Sequence, residues 1–224
     1  MKPIKITDRN IMFTEPMGSV YSLNLGLILG NRYNFLIDTG LGSGSVAPIL
    51  DFLEGNDKPI VVVNTHHHWD HVWGNWVFSN SLIIAHTLCR ELEDKYWDLM
   101  IEENSSSIDG KVERCLPNLL IKDYISYPDE DIEIFFTPGH SADGISVYDR
   151  RDKVLYAGDN IGDTDDVIVP YIDTDIEVFR KTIEEYTKYD FEICISGHNH
   201  PKGKNITELM KADLEKCWAN QANL

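Results

Sequence analysis

Long apolar runs are missing from this chain. No stretch approaches the ~20 consecutive apolar residues that a membrane-spanning helix needs, which predicts no membrane association. The N-terminus, MKPIKITDRN, has no apolar core and no cleavage site of small residues. It does not read as a secretory leader, and a cytoplasmic location is expected. Cysteine is scarce as well: Cys89, Cys115, Cys194 and Cys217 are the only four in 224 residues. None forms a CxxC pair, so zinc-ribbon chemistry is excluded and a reducing compartment is the simpler expectation. Positive charge is in short supply, with 20 Lys and Arg against 37 Asp and Glu and a formal net charge of −17. A surface with that balance repels phosphate backbones, so nucleic acid is not an expected partner.

What remains is ordinary globular material, 42% apolar and 25% charged, long enough to bury a core without staples. No repeat or low-complexity linker divides it, and residues 1–224 are read as one domain. Strand patterns dominate the first forty residues (IKIT, IMFT, VYSLNLGLILG, YNFLIDTG), with a hairpin break at Gly30-Asn31-Arg32. Val46, Ile49, Leu50 and Leu53 lie at helical spacing. PIVVVNT has the continuous β-branched character of a strand buried on both faces. SLIIAH, DIEIFFT, GISVYD, KVLYAGD and FEICIS are further strands, and helices are predicted over 86–100, 175–189 and 207–219. Residues 101–127 show no clear period and are expected in a pocket wall or a dimer contact. Strands and helices in this order suit two face-to-face sheets with helices outside, an α+β sandwich of four layers, αββα.

The chemistry concentrates in Asn64-Thr65-His66-His67-His68-Trp69-Asp70-His71, directly after the PIVVV strand. Imidazole and carboxylate are what borderline divalent cations take when no thiolate is offered. His66 and His68 are two apart, so in extended chain they point the same way and can grip one cation. Asp70 and His71 can face a second. Three more strand patterns end in a glycine beside such a donor: Pro138-Gly139-His140, Gly158-Asp159 and Gly197-His198. Glycine relieves backbone crowding where side chains must converge. The remaining histidines read differently. His67 alternates away from its neighbours, and His86 is a packed histidine at a strand-to-helix junction. His200 lies close enough in sequence to touch a substrate.

The order HxHxDH, PGH, GD, GH resembles the metallo-β-lactamase superfamily over nearly the whole chain, including the Asp38-Thr39-Gly40 turn. THHHWDHVWGN is most similar to the hydroxyacylglutathione hydrolases (glyoxalase II). Those enzymes carry a long helical extension for glutathione, whereas residues 199–224 here supply one helix. The resemblance implies a metal-dependent hydrolase in which His66, His68 and His140 hold one cation and Asp70, His71 and His198 another. Asp159 would bridge them, Asp38 would orient a histidine from behind, and Asp70 would also accept the proton of the attacking water. It implies two divalent ions, Zn2+ first and Mn2+ or Fe2+ as alternatives. The implied substrate is a small ester, thioester or lactone. A phosphodiesterase and an iron-dependent dioxygenase of the persulfide type are the alternatives. Trp73, His200 and Lys202 are the expected substrate contacts, and a homodimer is compatible with the sequence.

Overall fold

A computed structural model describes residues 1–18 and 21–221. Seven strands build the first sheet: β1 (Lys2–Lys5), β2 (Asn10–Met17), β3 (Tyr21–Leu29), β4 (Asn34–Ile37), β5 (Ile60–Val63), β6 (Leu82–His86) and β7 (Leu119–Ile121), in that spatial order. The strands β1 to β4 pair antiparallel, whereas β4 to β7 run parallel. Six strands build the second: β8 (Tyr124–Tyr127), β9 (Ile132–Phe136), β10 (Ile145–Asp149), β11 (Val154–Tyr156), β12 (Ile193–Ile195) and β13 (Lys202–Gly203). Only β11 and β12 pair parallel there. Helices α1 (Ser43–Phe52), α2 (Trp69–Val72), α3 (Thr87–Asn104), α4 (Ile176–Tyr186) and α5 (Ile206–Gln221) complete the chain.

The period-two alternation of the strands decides the layering. Met12, Ile28, Phe35, Val61 and Val63 of the first sheet meet Ile134, Ile145, Val147, Val154 and Ile195 of the second, forming the core between them. The intervening residues face outward. Leu25, Leu27, Leu36 and Val62 receive Val46 and Ile49 of α1. Phe135, Leu155 and Cys194 receive Phe179 and Ile183 of α4 and Met210 and Leu214 of α5. The result is two mixed sheets flanked by helices, the four layers expected. Each fully buried aliphatic side chain contributes about 1.5–3 kcal/mol, so the three clusters together hold the sandwich closed.

The illegible stretch resolves into three pieces. α3 runs on to Asn104, four residues past the predicted end. Residues 109–111 then wrap the Gly40–Gly44 turn, where Ser43 N donates to Lys111 O at 3.0 Å and Gly44 N to Asp109 O at 3.0 Å. Last come β7 and β8, the edge strands of the two sheets, joined by Lys122 and Asp123 alone. No residue of 101–127 lines the cleft beside His198 described below, whereas Leu116 and Leu120 line a separate surface cleft with Thr87 and Arg90. Among the described residues no helix is long and apolar enough to cross a membrane.

Candidate metal centre

Seven side chains from both sheets meet at one end of the sandwich. The segment after β5 brings His66 and His68, and α2 presents Asp70 and His71 from its single turn. The β9–β10 loop brings His140, the turn after β11 brings Asp159, and the segment after β12 brings His198. Donor atoms of His66, His68, His140 and Asp159 lie within 4.8 Å of one another, as do those of Asp70, His71 and His198. Asp159 Oδ2 links the groups, 3.7 Å from His66 Nε2, 3.3 Å from His71 Nε2 and 3.1 Å from His198 Nε2. His66, His71, Asp159 and His198 are buried, while His68, Asp70 and His140 reach partly into solvent.

Groups behind the histidines fix which way their lone pairs point. Asp38 sits at the end of β4 with φ of 62°, a left-handed conformation unusual for a residue with a side chain. Its Oδ2 accepts from His71 Nδ1 at 2.8 Å and from the Thr65 hydroxyl at 2.8 Å, and its Oδ1 accepts from Thr65 N at 2.7 Å. With its own proton committed to Asp38, the Thr65 oxygen accepts from His66 Nδ1 at 3.1 Å. His140 Nδ1 donates to Tyr171 O and His198 Nδ1 to Ser22 O, both at 2.9 Å. Four Nδ1 protons are thereby assigned by the hydrogen-bond network, and four Nε2 atoms turn inward. There they meet each other and carboxylates: His66 Nε2 and His68 Nδ1 are 2.9 Å apart, and His140 Nε2 and His68 Nδ1 are 3.1 Å apart. His71 Nε2 and Asp159 Oδ1 are buried without a hydrogen-bond partner among the described residues. Lone pairs crowded on lone pairs, with buried acceptors left over, are what a cation relieves. The donor set fits divalent ions.

Ionisation divides the site in the same way. Burial pushes the His66 imidazole well below its ordinary value, with His71 and His68 adding to the effect. Burial also brings His68 down to about 4, helped by His67 and His140. Burial opposes charge on His71 and His198 too, but Asp159 and Asp70 outweigh it and hold both well above the usual range. Asp159 is held well below the carboxylate range by His198 and His71, against its burial. Around His66 and His68 neutral imidazole therefore prevails, while the second proton that Asp159 and Asp70 favour on His71 and His198 is the one a bound cation displaces.

Glycines make the convergence sterically feasible. A Cβ on Gly197 would sit 2.2 Å from Asp159 Oδ1 and 2.8 Å from His71 Cε1. Gly158 has φ of 54°, and a Cβ there would meet Thr65 Cβ at 2.9 Å.

A cleft of about 340 Å³ opens beside His198, lined by Pro16, Tyr21, Ser22, Asp163, Asp165 and His200 among others. This is the lower end of the range for small-molecule sites. His200 borders it. Trp73 does not: it is fully buried among Val72, Trp97 and Met100, because the turn of α2 directs it under α3. Lys202 is not among the cleft residues and is ion-paired with Asp165, so it is no free cation for a substrate tail. His86 is a packing residue, stacked on Phe136 at 4.3 Å and capping α3 by accepting from Leu88 N. Thr65, which relays Asp38 to His66, directly precedes the histidine motif, but its hydroxyl carries no spacing signal that marks the role. The carbonyls of Ser22 and Tyr171 leave no trace in side-chain identity and could not be read from sequence.

Comparison with known proteins agrees with this geometry. Acyl-coenzyme A thioesterase MBLAC2 of Homo sapiens is 28% identical over 163 residues, covering 62% of this chain and 58% of that protein. Hydroxyacylglutathione hydrolase of Klebsiella pneumoniae is 28% identical over 119 residues, covering 53% and 40% respectively. The chain thus spans roughly half the length of these relatives. A metallo-β-lactamase from Hirschia baltica superposes with a TM-score of 0.73 at 20% identity, covering 95% of this chain and 96% of that one, and so shares its fold. Residues 19–198 match the Metallo-beta-lactamase superfamily, and the chain belongs to that superfamily.

Proposed function

We propose that this chain is a hydrolase working through two divalent cations, with a small thioester or related ester as substrate. The observation that carries the reading is the convergence of histidine nitrogens with the Asp70 and Asp159 carboxylates in two groups, with Asp159 Oδ1 buried and lacking a hydrogen-bond partner among the described residues. His66, His68 and His140 would hold one cation, Asp70, His71 and His198 the other, with Asp159 shared. A donor set of imidazole and carboxylate without thiolate favours Zn2+, with Mn2+ and Fe2+ behind it. Such cations, when bound, supply Lewis acidity and lower the pKa of water toward neutrality.

The protein's own groups do the rest. Asp70 would take up the proton of the attacking water; its position 3.3 Å from His198 Nε2 and partly open to solvent supports that role. Asp38, Thr65, Tyr171 O and Ser22 O hold the imidazoles in one orientation, so no reorganisation is needed during the reaction. The cleft between the β2–β3 hairpin and the segment after β11 orients the acyl compound. Its mouth carries Asp163 and Asp165, and burial pushes the Asp163 carboxyl up. With Lys202 already neutralised by Asp165, strongly anionic leaving groups are disfavoured. The free thiols of Cys89, Cys115 and Cys194 support a reducing, cytoplasmic setting. The thioester preference rests on the two named relatives, whose names denote thioester cleavage.

The test is turnover of protein loaded with Zn2+ on an uncharged thioester, a coenzyme A thioester, a lactone and a bis-aryl phosphate. The uncharged thioester is expected to be cleaved fastest. No turnover on any acyl substrate by protein carrying two cations overturns the reading, and phosphodiester cleavage exceeding all others would replace it.

A further inference from the structure

His67, the middle histidine of the triplet, turns away from the two flanking it, and the function above does not use it. Its Nδ1 lies 3.0 Å from Asp143 Oδ1. Asp143 is fully buried, and the His67 side chain is 12% exposed. The two residues come from different loops: His67 from the segment that carries His66 and His68, Asp143 from the β9–β10 loop that carries His140. Apart from the contact of His68 with His140 itself, His67–Asp143 is the side-chain hydrogen bond joining these loops among the described residues. One backbone bond runs parallel to it, Ile145 N to Thr65 O at 2.8 Å. The His67 ring also braces that of His68, centroids 4.7 Å apart.

We propose that His67 and Asp143 are a positioning pair that holds His66, His68 and His140 at cation-binding separation and so sets the affinity of that cation alone. The inference rests on the two-cation reading. A buried carboxylate accepting from an imidazole N–H fixes both tautomer and loop spacing, as Asp38 does for His71 on the other side. Without it, the two loops are free to drift by the few tenths of an ångström to which imidazole coordination is sensitive. Neither residue faces Asp70 or the cleft, so the pair acts through the ligands and not on substrate.

The experiment isolates each site. In a His198→Ala background only the His66/His68/His140 site remains, and in a His140→Ala background only the other. Co2+ affinity is measured in both by chelator competition and by the visible absorption of bound cobalt. His67→Ala should weaken binding about 10–100-fold in the first background, the usual cost of removing an outer hydrogen-bond partner, and leave the second unchanged. His67→Asn places an N–H where Nδ1 stood and should restore affinity, whereas His67→Gln places it at the Nε2 position and should not. Equal weakening in both backgrounds, no weakening in either, or equal affinities of the Asn and Gln variants overturns the proposal. The Asn and Gln comparison also decides if the Ala variant does not fold. Absence of Co2+ binding by the unsubstituted protein would instead sink the two-cation reading, and this proposal with it.

Discussion

At the residue scale, the buried groups carry the sharpest expectations. Glu93 of α3 is fully buried, and neither carboxylate oxygen has a hydrogen-bond partner among the described residues. Burial raises its pKa well above 4.5, against the pull of Arg114 and Arg90. The folded state therefore binds a proton that the unfolded chain gives up, and stability falls as pH rises above 4.5 until the folded value is passed. Glu93→Gln removes that dependence. Urea melts should show the variant more stable by about 1–3 kcal/mol at pH 8, with the gap closing below pH 4.5. A less stable variant at pH 8 contradicts the assignment. Gly197→Ala makes the opposite kind of test. Its Cβ would fall 2.2 Å from Asp159 Oδ1, so the protein should fold yet lose bound cation, read by elemental analysis after dialysis. Retention of two cations would mean that the backbone yields more than the packing allows.

At the scale of elements, α4 is tied to the site by its first turns. Asp175 caps it, Oδ1 accepting from Glu177 N at 2.8 Å. Thr174 donates to Gly139 O at 3.0 Å and Thr182 to Pro138 O at 2.6 Å, holding the loop that presents His140. Asp175→Ala should cost about 1 kcal/mol, a fall in Tm of about 2–4 °C for a domain of this size, measurable by calorimetry. An unchanged Tm would show that tertiary packing alone fixes the helix start. The same elements show what sequence patterning can reach. β5 was legible because three valines in a row leave no helical alternative, and α4 because Phe179, Thr182, Ile183 and Tyr186 share one face. β7 was not, since three residues at a sheet edge carry too short a period to read. α2 is a single turn, and its brevity hid that Trp73 would be folded inward. The seven donors stood out because glycine or a strand end flanks most of them. Asp143 did not, because its meaning lies in a contact 76 residues away in the chain.

For the whole molecule, occupancy of the site and stability of the fold are linked. Anything that binds only the native state stabilises it by mass action, about 2.7 kcal/mol when the free ligand is at 100 times its Kd. Zn2+ should therefore raise Tm in a concentration-dependent way, and EDTA should reverse the gain. A Tm indifferent to both would separate the cluster from cation binding. The net charge of −17 adds a second dependence. Self-repulsion at low salt should relax with screening, so the cation-free protein is expected to be more stable at 0.15 M than at 0.01 M salt.

The donors of the centre come from both sheets: His66, His68, Asp70 and His71 from the end of β5, and His140, Asp159 and His198 from the second sheet. A cation seated there is a rivet through two plates. A nascent or half-melted chain, with one plate formed and the other loose, cannot assemble the reactive constellation. Assembly of the centre is thereby made conditional on completion of the fold, since no single sheet carries all seven donors.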